Sequence, residues 1–286
     1  LLTNTTAGEN VIVYHSLGYT RTILIAKALR RFRLILEVEE VYGDVTGKWI
    51  DRWKEYALFR QADAFIFPTQ MLSDKLNRRG NPHVVVHGTY GAEPPRTRQR
   101  DDSKIHVVYA GTFDPRKGAA LAAKAAAFLD SRYHVHIIGF GNAVDTRALI
   151  SLVGEISAKS ECAVTFDGLL AGEGYIRFLQ SCDIGLSTQK LDAAFNETSF
   201  PSKVLSYMSN GLRVVTIRLK ALECSGVGDL LYFYDEDTPS AIASAIRTVD
   251  LGEPYDSRSR LQELDVAFRE DLSRILFSAE ELAETP

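Results

Sequence analysis

Three observations predict an α/β protein built as two parallel, doubly wound units. Short apolar strand patterns alternate with helical patterns along the chain, and no hairpin signal interrupts them. The alternation runs in two series, separated by the aperiodic, proline- and charge-rich stretch 91–104, GAEPPRTRQRDDSK. A length of 286 residues, 45% of them hydrophobic and 24% charged, gives each series room for a core. We place an N-terminal unit at 1–95, a second unit at 104–257 and a helical tail at 258–286, and read the first unit as cut short at its start. Two such units in series put a ligand cleft between the carboxyl ends of their sheets.

In the first series, VIVYH at 11–15 reads as a strand and 20–32 as a helix with Lys27, Arg30 and Arg31 on its outer face. A strand at 34–38 ends in an acidic, aromatic loop carrying Glu39, Glu40 and Asp44. A helix at 48–61, a strand at 64–67 closed by Pro68, a helix at 70–79 and a strand at 84–87 complete the series. The second opens with a strand at 105–109, the loop 111–118 and an alanine-rich helix at 119–129. It continues with strand 135–138, helix 146–157, strand 163–166, loop 167–174, helix 175–181 and strand 184–187. A last strand at 230–234 and a helix at 240–249 precede the tail.

The stretch 196–217, NETSFPSKVLSYMSNGLRVVTI, organises this second series. Ser199 suits an N-cap and Pro201 the first helical position, where a missing N–H costs nothing. Val204, Leu205 and Met208 form an apolar stripe with Tyr207 at its flank. Gly211 stands where a left-handed C-cap belongs, and Val214, Val215 and Ile217 read as a strand covered on both faces. The first helical turn, with Ser202 and Lys203 beside it, offers N–H groups and a positive dipole end to a phosphate. An ordinary capped helix with a solvated lysine accounts for the same residues.

Other segments carry their own alternatives. In AGTFDPRKG at 110–118, glycines permit close approach of the backbone while Arg116 and Lys117 supply positive charge, which suits a diphosphate or a plain βα turn. Gly139-Phe140-Gly141 lacks the third glycine and the downstream acid of a dinucleotide fingerprint, so a Rossmann dehydrogenase is excluded. DGLLAGEG, starting at Asp167, either brings backbone up to a flat base or simply turns. His15 closes its strand, a position that lines ligand sites in α/β proteins. Glu39, Glu40 and Asp44 either orient an acceptor hydroxyl or stand in solvent. Asp114, Asp183 and Glu197 are single carboxylates without a glycosidase pairing, and Ser16 and Ser187 lack a nucleophile elbow.

Composition narrows the classes further. The three cysteines show no CxxC spacing and read as reduced thiols in a cytoplasmic protein; no His/Cys spacing suggests a metal. Residues 1–100 carry 15 basic against 10 acidic residues and residues 101–286 carry 18 against 27, so a net charge of −4 hides two unlike halves. No basic stripe with interleaved aromatics points to nucleic acid. No apolar run reaches the ~20 residues of a membrane span, and none reads as a secretory leader.

Taken together, these segments resemble the GT4 family of retaining glycosyltransferases, whose fold is GT-B. GTFDPRKG is similar to the family's donor loop, in which an Arg and a Lys grip the diphosphate: Lys117 matches the Lys, while Thr112 stands where the Arg is usual unless Arg116 substitutes. GFGN from Gly139 resembles the family's G-x-G, TFDGLLAGEG with Asp167 the segment that reads the nucleobase, and His15 the histidine that contacts the transferred sugar. The organising stretch resembles the E-x7-E segment in its FPSK-x-x-E-Y form, so that Thr198, Ser199, Phe200, Pro201, Ser202 and Lys203 meet the donor. Its first Glu aligns with Thr198, beside Glu197, and its second, which holds the ribose, with Ser206. Loss of a charge-assisted ribose contact costs on the order of 1.5–3 kcal/mol.

The resemblance implies a hexosyltransferase that moves sugar from a nucleotide-sugar, UDP-sugar before GDP-sugar, to a polysaccharide, glycolipid or similar acceptor with retention. His15, Lys117 and Glu197 carry the catalytic roles, with Gly111 and the residues above in the donor site. It implies no metal and no cofactor beyond the donor, and a cytoplasmic place with peripheral contact at the inner face of a membrane through the basic first half. A GT-B relative such as a nucleotide-sugar epimerase fits Lys117 less well. A non-catalytic GT-B protein that binds a partner or glycan is the alternative, favoured by Thr198 and Ser206.

Overall fold

In the computed structural model, which describes residues 4–15, 17–97, 102–190 and 198–277, strand and helix alternate in two units as the sequence predicts. The first comprises the described residues up to Thr89, with 198–200 and Asp265 onward; the second comprises those from Tyr90 to Lys190 and from Pro201 to Leu264.

The first unit runs β1 (Asn10–Tyr14), α1 (Thr20–Arg30), β2 (Arg33–Glu37), α2 (Tyr42–Thr46), α3 (Trp49–Phe59), β3 (Ala64–Phe67), α4 (Gln70–Leu76) and β4 (His83–Val85). Its four strands pair in parallel in the order β1-β2-β3-β4. Alternation along each strand sorts its side chains onto two faces. Leu34, Leu36, Phe65 and Phe67 pack under α1 and α3 with Ile23, Ala26 and Leu58. Ile35, Ala64 and Ile66 face the other way, onto Phe268, Leu272 and Ile275. Those last residues belong to α11 (Ser257–Leu276), so the described part of the predicted tail is one helix whose second half closes the open face of this sheet. The acidic loop around Asp44 is also partly helical. The amides of Tyr42 and Gly43 donate to the buried Glu55 carboxylate at 2.7 and 2.6 Å, and this starts α2.

The second unit runs β5 (Ile105–Thr112), α5 (Ala119–Ala125), β6 (Tyr133–Phe140), α6 (Ala143–Ser157), β7 (Ala163–Gly168), α7 (Gly172–Gln180), β8 (Ile184–Ser187), α8 (Ser202–Ser209), β9 (Arg213–Ile217), α9 (Lys220–Glu223), β10 (Leu231–Tyr234) and α10 (Pro239–Arg247). Its parallel sheet has the order β10-β9-β8-β5-β6-β7. The chain builds outward from β5 in one direction through β7, then in the other through β10. This reversal leaves a crevice where the loops after β5 and β8 diverge.

Candidate functional site

Residues around that crevice assemble from the carboxyl ends of β5, β6 and β8 and from the start of α8. Gly111 and Gly139 stand opposite each other in the β5–β6 register. Gly139 adopts φ +137°, and a β-carbon there would overlap the Gly111 carbonyl, so only glycine fits. Beyond β5 the chain turns at Gly118, φ +82°, whose carbonyl accepts the Thr188 hydroxyl at 2.9 Å. The Tyr109 hydroxyl bridges the base of the same loop, donating to the carbonyls of Thr112 at 2.7 Å and Lys117 at 3.2 Å.

Tyr207 sets the position of α8. Its ring lies against Gly185, where any side chain would collide, and its hydroxyl accepts from the Ala110 amide at 2.8 Å and donates to the Leu186 carbonyl at 3.2 Å. The phenol thus ties together the two strands that flank the crevice. Four residues earlier on the same helix face, Lys203 lies over Gly111, with its ammonium 5.0 Å from the centre of the Tyr109 ring. Burial pushes the Lys203 ammonium down to about 8, and the neighbouring charge of Lys117 adds to the drop. Among the described residues no carboxylate pairs with Lys203.

The helix begins later than the sequence predicts. Pro201, not Ser199, is its N-cap residue, in extended conformation at ψ 107°. Thr198 and Phe200 are tied within the first unit: the Thr69 hydroxyl donates to the Thr198 carbonyl at 2.6 Å, and the Phe200 ring stacks on His87 with ring centres 4.5 Å apart. The first turn carries the amides of Ser202 and Lys203, which have no partner inside a helix, with the Ser202 side chain exposed and Ser206 half-buried.

Arg116 is not held toward the crevice. Its guanidinium binds Asp114 two residues away, at 2.6 Å through Nη2 and 3.0 Å through Nε, and this contact holds the Asp114 carboxyl down at about 2. Thr112, Asp114, Arg116, Phe140 and Asn142 line a cavity of about 460 Å³ at this end of the sheet. Lys117, half-buried, is the loop's cation nearest Lys203 in influence.

Several predicted residues are engaged elsewhere. The Asp167 carboxylate accepts from the Thr165 hydroxyl at 2.9 Å and lies 3.0 Å from His136 Nδ1; these hydrogen bonds outweigh its burial and keep its carboxyl below the usual range. The Ser206 hydroxyl meets the Tyr175 hydroxyl at 3.2 Å. In the first unit, His15 is 2% exposed between Tyr42 and Phe59, with ring centres 5.2 and 5.0 Å away. Its Nε2 lies 3.4 Å from Glu55, neither ring nitrogen has a hydrogen-bond partner among the described residues, and loss of hydration lowers its pKa to about 4. Asp44 binds Arg52 at 2.5 Å and Lys75 at 2.8 Å. Glu197 lies outside the described residues.

A family model described as Glycosyl transferases group 1 matches residues 104–249, just over half of the chain. The chain belongs to this family. The matched span holds both crevice loops and α8. No curated protein matches the chain in sequence. Among solved structures, HepE of Anabaena in complex with UDP is similar at 16% identity and TM-score 0.68, over 96% of this chain and 79% of HepE. The lipopolysaccharide outer core galactosyltransferase WaaB is similar at 18% identity and TM-score 0.62, over 92% of this chain and 73% of WaaB. A UDP-forming trehalose-phosphate synthase of Burkholderia xenovorans, solved with glucose-6-phosphate, shares 12% identity at TM-score 0.62, over 92% of this chain and 70% of the synthase. At these identities the likeness is one of fold. With its two parallel sheets, this group 1 glycosyl transferase has the GT-B fold that the sequence predicts.

Sequence reasoning missed the two tyrosines that build the crevice. Tyr207 reads as a flank of an apolar stripe, yet it is fully buried and its hydroxyl binds both strands.

Proposed function

We propose that this group 1 glycosyl transferase takes a nucleotide-sugar, UDP-sugar before GDP-sugar, in the crevice of its second unit and transfers the sugar to a glycan or glycolipid acceptor with retention. The observation that carries this reading is the desolvated Lys203 ammonium. It lies over Gly111 at the first turn of α8, within electrostatic reach of Lys117 and without a carboxylate partner among the described residues. A half-buried cation beside a second cation is unfavourable alone and favourable with a diphosphate between them.

In this mechanism the two ammonium groups and the α8 dipole offset the charge that develops on the leaving diphosphate, while the acceptor hydroxyl attacks from the same face. Thr112, Ser202 and the backbone of Gly111 position the donor, and no protein nucleophile is required. HepE binds UDP in its crystal, which supports the choice of uracil as base.

Calorimetric titration of the full chain with UDP and with GDP tests the proposal, beside Lys203→Met and Lys117→Ala. We expect micromolar binding of UDP, weaker binding of GDP and a loss of at least tenfold in each variant. A folded protein that binds neither nucleotide refutes the donor site. The alternative, a GT-B protein that binds without transfer, draws on Ser206, whose hydroxyl meets Tyr175 where the resemblance places a ribose-binding glutamate. Nucleotide binding without release of UDP from any of a panel of UDP-sugars would favour it.

A further inference from the structure

Both tryptophans of the sequence lie on one turn of α3, and both stand in water: Trp49 is 76% exposed and Trp53 65%. Trp49, Trp53, Ala57 and Arg60 follow one another at helical spacing, so they form one stripe along α3. α1 packs beside α3 on the same face of the first sheet and carries a matching stripe of Arg21, Ile25 and Leu29, all exposed. The exposed Tyr19 closes the short turn before α1, and that turn packs against α3. Between the carboxyl ends of the two helices lies a groove of about 950 Å³, lined among others by Lys27, Arg31 and Arg60.

Charge on this face is mostly of one sign. α1 and the residue after it carry Arg21, Lys27, Arg30 and Arg31 and no acid. α3 and its flanks add Lys48, Arg52, Lys54 and Arg60, while its two acids, Asp51 and Glu55, are half-buried and buried. Asp63 holds Lys27 and Asp44 holds Arg52, but among the described residues no carboxylate pairs with Arg21, Arg30, Arg31, Lys48 or Arg60. Each exposed apolar side chain has a cation within one turn: Arg21 for Ile25, Arg30 for Leu29, Lys48 and Arg52 for Trp49, Lys54 for Trp53. Such interleaving disfavours a protein partner, because the centre of a protein interface is depleted of charge. It suits a surface into which rings sink while long cationic side chains reach back to headgroups.

We propose that α1 and α3 form a peripheral binding surface for an anionic lipid bilayer, with Trp49 and Trp53 seated where headgroups meet acyl chains and Arg31 and Arg60 on lipid phosphate. Tryptophan favours that boundary because its ring is apolar while its indole N–H needs a polar partner. Each cation close to an anionic surface strengthens binding about fivefold, or about 1 kcal/mol, so the cations supply most of the attraction and the rings the anchor. The helices lie in the plane of the interface: among the described residues no helix is long and apolar enough to cross a membrane. Net charge alone selects no face of the first unit, whereas the two exposed tryptophans do. Both helices belong to that unit, so the inference is independent of the donor site.

The test is co-sedimentation of the full chain with vesicles of phosphatidylcholine alone and of phosphatidylcholine mixed with phosphatidylglycerol. We expect binding about tenfold or more tighter to the mixed vesicles, and its loss at about 1 M salt, where the screening length falls to about 3 Å. The sequence has no other tryptophan, so its emission reports on this turn alone. On binding, that emission should shift to shorter wavelength and be quenched by phosphatidylglycerol with brominated acyl chains. Trp49→Ser with Trp53→Ser, and separately Arg21→Glu with Arg30→Glu, should each weaken binding about tenfold or more. Lys159→Glu, exposed on the second unit, should leave it unchanged. Circular dichroism checks that each variant is folded; should one unfold, quenching by brominated lipid on the unaltered chain still reads the surface. No binding to the mixed vesicles overturns the proposal, as does binding without a change in tryptophan emission, or unchanged binding by both folded double variants. Emission that responds to a soluble glycan and not to vesicles overturns it in favour of sugar stacking. A dimer in sedimentation velocity that Trp49→Ser dissolves, without vesicle binding, overturns it in favour of a second copy of the chain.

Discussion

Lys203 gives the sharpest quantitative test of the donor site. With its ammonium held at about 8 by burial and by Lys117, the charged fraction falls from about 0.9 at pH 7 to about 0.1 at pH 9. A diphosphate that needs the charged form then binds about tenfold more weakly at pH 9 than at pH 7, because apparent affinity scales with the competent fraction. A solvated lysine near 10.5 would change the affinity by only about 3% over the same range. Stability moves in the opposite sense. The folded-state value lies below the unfolded one, so the unfolded chain binds more protons between about 8 and 10.5, and stability rises with pH through that window. The burden of the half-buried charge is fully present below pH 8, and the full drop corresponds to about 3 kcal/mol. Lys203→Met should therefore gain about 1–3 kcal/mol in urea unfolding at pH 7 and lose that advantage by pH 10. In the same variant, UDP binding should be weak and independent of pH. The assay is calorimetry with UDP at pH 7, 8 and 9 for both proteins. Equal affinity of the wild type at pH 7 and 9, with UDP bound, would refute the argument.

Three further outcomes follow from the geometry. Tyr207→Phe leaves the buried Ala110 amide without its 2.8 Å acceptor, so urea unfolding should show a loss of about 1–3 kcal/mol, accompanied by weaker nucleotide binding as α8 loosens. Gly139→Ala places a β-carbon on the Gly111 carbonyl at a φ of +137°, and should lower stability by about 3 kcal/mol or more, visible as a fall in thermal midpoint. His15 has a folded pKa of about 4, below its unfolded value; the unfolded chain alone takes up this proton between about pH 6.5 and 4, and wild-type stability falls on acidification there. Urea titrations of His15→Phe from pH 7 to 4 should lack up to about 3 kcal/mol of that loss, while Glu55, raised by burial, contributes with the opposite sign in both proteins.

The order of elements was legible because its causes are local. Apolar periodicity, Pro68, Gly118 and Gly211 mark where strands and helices start and stop, and the shared face of Leu34 and Leu36 follows from strand alternation. Positions that depend on a distant partner were not legible. Tyr207 meets Ala110 across 97 positions, and His106 meets His136 across 30, so no short spacing announces either. Helix α2 escaped notice because it depends on Glu55, 13 and 12 positions downstream of the amides it accepts from. The later start of α8 has the same origin: Thr69 holds the Thr198 carbonyl and His87 stacks on Phe200, overriding the local preference of Ser199 for a cap. Arg116 shows the reverse case, a local contact that removes an expected role, since Asp114 lies two residues away and takes the guanidinium in a bidentate grip.

These departures shift the charge balance of the proposed donor site in one direction. Thr112 stands where the resemblance places an arginine, and the neutral pair of Asp114 and Arg116 contributes little net field. Attraction for a diphosphate then rests on Lys117, Lys203 and the start of α8. Burial and the charge of Lys117 set the ionisation of Lys203, which has Gly111 beneath its side chain and the Tyr109 ring 5.0 Å from its ammonium. The ring face favours the charged form while burial opposes it, and the balance near 8 keeps most molecules cationic at neutral pH. An anion entering the crevice supplies the missing counter-charge and raises that value again, so nucleotide binding at pH 8 should take up a fraction of a proton. Calorimetry in buffers of different ionisation enthalpy measures that uptake directly, and its absence from Lys203→Met would tie the proton to this side chain.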